Sequence, residues 1–303
     1  MALGIIKTLS INQKEFPVLL KEIPKPPSLI YLKGELPPAN LACLAIVGTR
    51  KATSDGKTFA KRLAFELAQN GFVIVSGLAF GIDTAAHQGA LAANGQTIAV
   101  VANGLDSIYP RSNEQLAKQI LANNGAIISE YPPGTPAYPN QFLERNRIIS
   151  GLSIATIIVE APIRSGALVT ARYALEQGRE VFVAPGSCLH QNYRGSHLLI
   201  RNGARLISSA EDVIEDIKEI IVNYPFYTFN FNQSKTSEKI NQVENEVDKI
   251  IIENLKKCKE GLEVDKIIEL TKLETHIVNQ HLTFLLFEGL IIEKNGKYKI
   301  NNC

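Results

Sequence analysis

Between residues 41 and 217 the chain alternates short apolar runs with stretches of helical period, and this alternation restricts the fold more than any other feature. The runs fall at 44–47, 73–75, 98–101, 126–129, 155–159, 180–184 and 205–207. They are rich in Val, Ile and Ala, as strands covered on both faces must be. Between them the spacing predicts helices over 56–70, 82–94, 113–124, 166–177 and 196–202, with a last one at 210–217. Strands alternating with helices in this way give an α/β protein with an extended Rossmann-like, doubly wound, mostly parallel sheet.

The flanks differ in texture. Residues 1–40 carry Pro17, Pro24, Pro26, Pro27, Pro37 and Pro38, and read as an irregular arm packed on the main domain, which covers 41–220. Residues 221–240 include NYPFYTFNFNQSKTS, polar and aromatic without helical period, and read as a linker. From 241 to 303 the pattern predicts helices over 246–257, 264–270 and 273–288. Two apolar stretches around Asn295-Gly296, a type I′ turn signal, follow. Three helices and a hairpin make a small C-terminal winged-helix domain.

Hydrophobic residues are 45% of the chain, enough for a sizeable core, while the net charge is only +2. Affinity for nucleic acid must then come from a local cluster of cations and not from the global field. Cys43, Cys188, Cys258 and Cys303 are scattered without a CxxC pair, so neither a zinc site nor a disulfide framework is indicated. No apolar run approaches the ~20 residues of a membrane span. The opening MALGIIKTLSINQKEFP lacks the layout of a signal peptide. The expectation is a cytoplasmic protein with reduced thiols and no membrane association.

Chemistry-bearing residues concentrate in loops that follow the predicted strands. Gly48, Thr49 and Arg50 come first, where glycine permits close backbone approach and arginine offers a fork to phosphate. Ser76, Gly77, Phe80 and Gly81 form a glycine loop ahead of a helix carrying Asp83 and His87, and its amides can cradle an anion. Arg111 stands just before the next helix. Arg145, Asn146 and Arg147 follow; the two arginines point to different faces of a helix, so that one pairs with a carboxylate and the other meets the ligand. Arg164, Ser165 and Gly166 open a further helix, and PGS at 185–187 closes the series. In a parallel sheet all these loops share the carboxyl edge of the strands, which predicts one anion-binding rim. There is no GxSxG elbow, no Walker A lysine and no metal-spaced His/Cys/Asp cluster, so no catalytic or metal residue is assigned.

Seven strings in order carry a resemblance: GTR (48–50), SGLAFGIDTAAHQGAL (76–91), TIAVVANGLDSIYP (97–110), SEYPPG (129–134), FLERNRIISGLS (142–153), the EA and RSGALVTA block (160–171), and VAPGS with LLIRNGA (183–204). They resemble the DprA/Smf family. The resemblance implies a Rossmann-like protein that binds single-stranded DNA without strong sequence preference and protects incoming DNA during natural transformation. It further implies loading of RecA recombinase, homodimers, no catalytic activity and no cofactor. Carried over by motif, the DNA-contacting pocket includes Arg50, the 76–81 loop, Arg111 and the 145–147 segment. Phe80, Tyr109 and Phe142 can offer a face to a base, with core packing as the competing use of each. Relatives carry a lysine shortly after SEYPPG; here Thr135-Pro136-Ala137-Tyr138-Pro139 has none, and Tyr138 can compensate by stacking.

The alternative is a Rossmann-like nucleotide hydrolase of the phosphoribohydrolase type, using Arg164 with Glu176 or Glu160. RSGALVTARYALE replaces the PGGxGTxxE loop of such enzymes. A dinucleotide-dependent oxidoreductase would need GxGxxG, which the glycine loop does not have. The predicted third C-terminal helix shows little positive charge, which leaves protein contact and DNA binding both open for that domain.

Overall fold

The computed structural model describes residues 5–221, 245–258, 261–287, 290–294 and 296–300. The chain divides into two units, Met1–Asn230 and Phe231–Cys303. Nearly all of the expected linker lies outside the described residues, as do Cys303 and Asn295 of the expected type I′ turn.

The first unit is built on nine strands: β1 Lys7–Ser10, β2 Leu29–Gly34, β3 Cys43–Val47, β4 Val73–Ser76, β5 Thr97–Val100, β6 Ala126–Ser129, β7 Ala155–Ile158, β8 Glu180–Val183 and β9 Arg205–Leu206. They form one sheet in the order β1-β2-β6-β5-β4-β3-β7-β8-β9. Strands β3 to β9 are mutually parallel where they pair, whereas β2 lies antiparallel on β6 and β1 antiparallel on β2. The chain winds from β3 outward through β4, β5 and β6. It then returns to the other side of β3 with β7. That reversal makes the carboxyl ends of β3 and β7 the switch point of the sheet, where such folds open a crevice.

The helices are α1 Val18–Lys21, α2 Ser54–Gln69, α3 Ile82–Ala92, α4 Glu114–Ala122, α5 Pro139–Gly151, α6 Gly166–Glu176, α7 Arg194–Arg201 and α8 Ala210–Ile221. Alternate residues of each strand feed two cores. Ile98 and Val100 pack with Ile148, Ile149 and Ala171 of α5 and α6, while Ala99 and Val101 pack with Leu116 and Ile120 of α4. Leu44, Ala45 and Ile46 of the central β3 are fully buried. Burial of a leucine or isoleucine of this kind stabilises by about 1.5–3 kcal/mol.

The expected irregular arm is in part regular over residues 5–40. Two of their segments add antiparallel strands to the sheet, and Phe16, Leu20 and Ile23 enter the core shared with α5. The prolines lie between the ordered pieces, not within the strands, where their missing N–H would break the ladder. The predicted helices and strands of the main domain appear within a few residues of their expected bounds.

The second unit holds α9 Glu246–Lys257, α10 Val264–Thr271 and α11 Thr275–Phe287, then a hairpin of β10 Ile291–Lys294 and β11 Lys297–Ile300. Asn245 caps α9, its Oδ1 accepting from Val247 N at 2.9 Å. Ile251, Leu255, Ile267, Val278, Leu282 and Leu285 form a core of its own. Leu262 bridges to Tyr298, which sets a third short segment beside β11. Among the described residues no helix is long and apolar enough to cross a membrane.

Candidate functional site

An open pocket of about 510 Å3 lies at the switch point, lined by the ends of β3 and β7 and by α5 and α6. Of the residues singled out in the sequence, Gly48, Thr49, Arg50, Arg145, Asn146, Arg164, Ser165 and Gly166 line it. Arg50 and Arg164 are exposed. The Arg50 guanidinium sits over the Phe142 ring, 4.6 Å from its centroid, and Tyr109 meets the same ring edge-on at 5.6 Å. A cation is thereby held over one aromatic face of the pocket lining, with a second ring against that one's edge.

The floor is made by Arg145, only 3% exposed. Its Nη1 donates to Gly77 O at 2.7 Å and also to Val100 O. On the other side of the same glycine, Asp83 Oδ2 accepts from Gly77 N at 3.1 Å and from Ala79 N at 3.4 Å. Gly77 is thus wedged between a carboxylate and a guanidinium, and a Cβ there would come within 2.6 Å of the first and 2.7 Å of the second. Burial pushes the Asp83 carboxyl up, against the pull of Arg145. The same burial lowers Arg145 to about 10. The expected anion cradle in this loop is corrected here: Asp83 already takes the amides of Gly77 and Ala79.

The rest of the glycine loop is held rather than open. Ser76 Oγ donates to Ile46 O at 2.7 Å, joining β4 to β3. Asn113 Nδ2 donates to Leu78 O at 2.8 Å and Thr84 Oγ1 at 2.9 Å. Gly81 has φ +78°, and a Cβ would meet Thr49 O at 2.3 Å, so only glycine fits between the loop and the end of β3. Phe80, at its apex, is 48% exposed, as is Tyr109; Tyr138, capping α5, is 53% exposed. The core-packing alternative therefore does not hold for Phe80 and Tyr109.

Arg145 and Arg147 do point apart, with Arg147 directed away from the pocket. Its Nη2 donates to both carboxylate oxygens of Glu130, at 2.5 and 2.6 Å. One terminal nitrogen thus holds both oxygens of the protein's own carboxylate and keeps the guanidinium there. Arg111 is exposed at the start of a short 3-10 turn, Arg111–Asn113, and does not line the pocket. At α6, Ser165 Oγ accepts from Ala167 N at 3.2 Å, and Asn146 Nδ2 donates to Gly166 O at 3.1 Å.

Glu160, a catalytic candidate in the hydrolase alternative, is fully buried. It accepts from Thr53 N at 3.0 Å, from Thr53 Oγ1, from Asn192 Nδ2 at 3.0 Å and from Tyr193 OH at 2.9 Å. Burial alone would raise its pKa; these donors outweigh that and hold it below the usual carboxylate range. Its own backbone O accepts Thr49 N at 2.7 Å. One carboxylate thus ties the segments after β3, β7 and β8 into a single rim. Thr53, Asn192 and Tyr193 carried no signal in the sequence, being far apart and chemically ordinary. Lys33, buried on β2, reaches Leu105 O at 2.6 Å and holds the loop after β5; burial lowers its pKa.

Comparison with known proteins now decides the family. The family model described as DNA recombination-mediator protein A matches residues 7–218. This chain belongs to that family. DNA processing protein DprA of Bacillus subtilis is 44% identical over 220 residues, spanning 72% of this chain and 74% of that protein. Protein Smf of Escherichia coli is 45% identical over 63% of this chain, but that region is about half of its own length, 51%. The crystal structure of DprA from Streptococcus pneumoniae superposes with a TM-score of 0.67 at 41% identity, covering 71% of this chain and 75% of that one. Helicobacter pylori DprA, a single-stranded-DNA-binding protein, gives 0.64 at 33% identity, covering 72% and 98%. The matched region lies within the first unit and contains every pocket residue.

Proposed function

We propose that this protein binds single-stranded DNA along the rim of the first unit and performs no reaction on it. The observation that carries the reading is the Arg50–Phe142–Tyr109 stack at the mouth of a pocket that also presents Arg164. Cations beside exposed rings suit a backbone with unpaired bases, and they read no sequence. Single-strand binding by the Helicobacter relative supports it. The family resemblance supports the wider role: protection of incoming DNA in the cytoplasm, loading of RecA, action as a homodimer, and a winged helix as the second unit. The missing lysine near Thr135 leaves Arg50 and Arg164 as the cations exposed at the pocket.

Two features count against the hydrolase alternative. Glu160 is buried and fully engaged. Glu176 ends α6, next to Arg172 at 3.5 Å, while Arg164 precedes that helix; ten helical residues separate positions by about 15 Å.

Fluorescence anisotropy with labelled oligo-dT, competed by duplex DNA and by nucleoside monophosphate across a salt series, tests the reading. Salt-dependent binding to the strand is expected, undisturbed by monophosphate. Arg50→Ala should weaken it and reduce the salt slope by about 0.7. Monophosphate binding or cleavage without strand binding would overturn the reading.

A further inference from the structure

The second unit separates its charges by face. In the β10–β11 hairpin Ile291 is paired with Ile300 and Glu293 with Tyr298; Ile291 is buried, and Tyr298 and Ile300 pack on the unit's core. Lys297 and Lys299 alternate with these and occupy the opposite face, which they share with Ile292, the register partner of Lys299. Beside them runs the segment entering α10. Leu262 N donates to Tyr298 O and Tyr298 N to Leu262 O, both at 2.8 Å. Gly261 in that segment has no side chain to cover the lysine stems; an added Cβ would lie 3.3 Å from Lys297 Cβ and 3.4 Å from Lys299 Cβ. Lys256 and Lys257 are exposed at the end of α9. None of Lys256, Lys257, Lys297 and Lys299 has an ion pair among the described residues, whereas Lys266 is held by Glu269 at 2.7 Å.

The outward side of α11, which a helix-turn-helix protein would lay in a groove, is different. It presents His276, Asn279, Gln280, Thr283 and Phe284, without a lysine or arginine. Helices that read DNA normally anchor themselves on phosphates through basic residues.

We propose that the second unit binds the phosphate backbone of duplex DNA through the lysine face of its hairpin, not through α11. The lysine face of the hairpin offers no ring on which an unpaired base can stack, since Tyr298 points to the other side and is hydrogen-bonded to Glu293. Compact, unpaired ammonium groups on a flat face suit a regular row of phosphates and carry no sequence information. The protein then holds two nucleic-acid contacts of different kind, one for strand and one for duplex.

The test uses the full chain and anisotropy with a short labelled duplex, with labelled oligo-dT, and with a labelled oligoglutamate peptide, each across a salt series. Lys297→Ala/Lys299→Ala should lower the duplex salt slope by about 1.8, at about 0.9 per phosphate contact. Lys297→Arg/Lys299→Arg should keep the slope, and oligo-dT binding should stay unchanged in both. Arg50→Ala should show the reverse pattern, so a failure of the pocket reading appears in the oligo-dT arm and a failure of this one in the duplex arm. An unchanged duplex slope in the alanine pair overturns the proposal. So does equal loss in the alanine and arginine pairs, or oligoglutamate binding more tightly than duplex with the same dependence on the lysines.

Discussion

Gly77→Ala is the sharpest probe of how the pocket is supported. The added Cβ would stand 2.6 Å from Asp83 Oδ2 and 2.7 Å from both terminal nitrogens of Arg145, where ordinary contact begins at 3.4 Å. Each group must retreat by about 0.7–0.8 Å, from those same distances. Neither can do so freely. Asp83 is hydrogen-bonded to the N–H of that same residue at 3.1 Å and Arg145 to its C=O at 2.7 Å, and both side chains are buried. A hydrogen bond to a charged partner contributes about 1.5–3 kcal/mol, so losing both costs about 3–6 kcal/mol. Urea unfolding of the whole chain, followed by far-ultraviolet circular dichroism at neutral pH, reads this on the transition of the larger unit. Gly166→Ala is the control, because a Cβ there meets nothing closer than 3.8 Å; its change should stay within about 0.5 kcal/mol. If Gly77→Ala also stays within that range, the wedge between carboxylate and guanidinium is not what holds the loop.

Arg147→Ala should leave the oligo-dT salt slope unchanged while destabilising the fold, since its guanidinium serves Glu130; anisotropy and a melting curve together separate the two effects. A lowered carboxylate pKa in the folded state contributes stability above the unfolded pKa that is lost as pH falls through the folded one. Glu160→Gln should therefore remove an acid-sensitive component seen in wild type, as urea midpoints over an acidic pH series will show. His87 is depressed to about 3 by burial, so it stays neutral in the folded protein and costs stability only as pH falls below its unfolded value. Its Nδ1 faces Thr97 Oγ1 at 2.7 Å, and that hydroxyl donates to Ile74 O at 2.6 Å. The proton must therefore sit on Nδ1, which a nitrogen-15 spectrum of the imidazole will display without change from neutral to mildly acidic pH.

The central strands were legible because a strand buried on both faces must be apolar throughout; residues 126–129 match their element at both ends. The two antiparallel strands of the first forty residues were not. Strand β2 carries Lys33, which breaks the apolar run and threads its ammonium to a carbonyl of another loop. The prolines between the ordered pieces read as irregular chain. On helix α5 the opposite facing of Arg145 and Arg147 is legible from their spacing, whereas the burial of Arg145 and Asn146 is not. The convergence of loops followed from parallel topology alone. Which arginine would face the ligand did not, because that depends on Glu130 and on two carbonyls remote in sequence.

Glu160 has a kinetic consequence. Segments after three different strands are fastened to one carboxylate before any ligand arrives, so the rim around Arg50 and Arg164 does not have to be assembled by the strand that lands on it. The ordering entropy that a floppy rim would lose at the moment of contact is already lost on folding. Association should then run at the rate of encounter, set by charge and salt, and differences between variants at this rim should show in how long the strand stays.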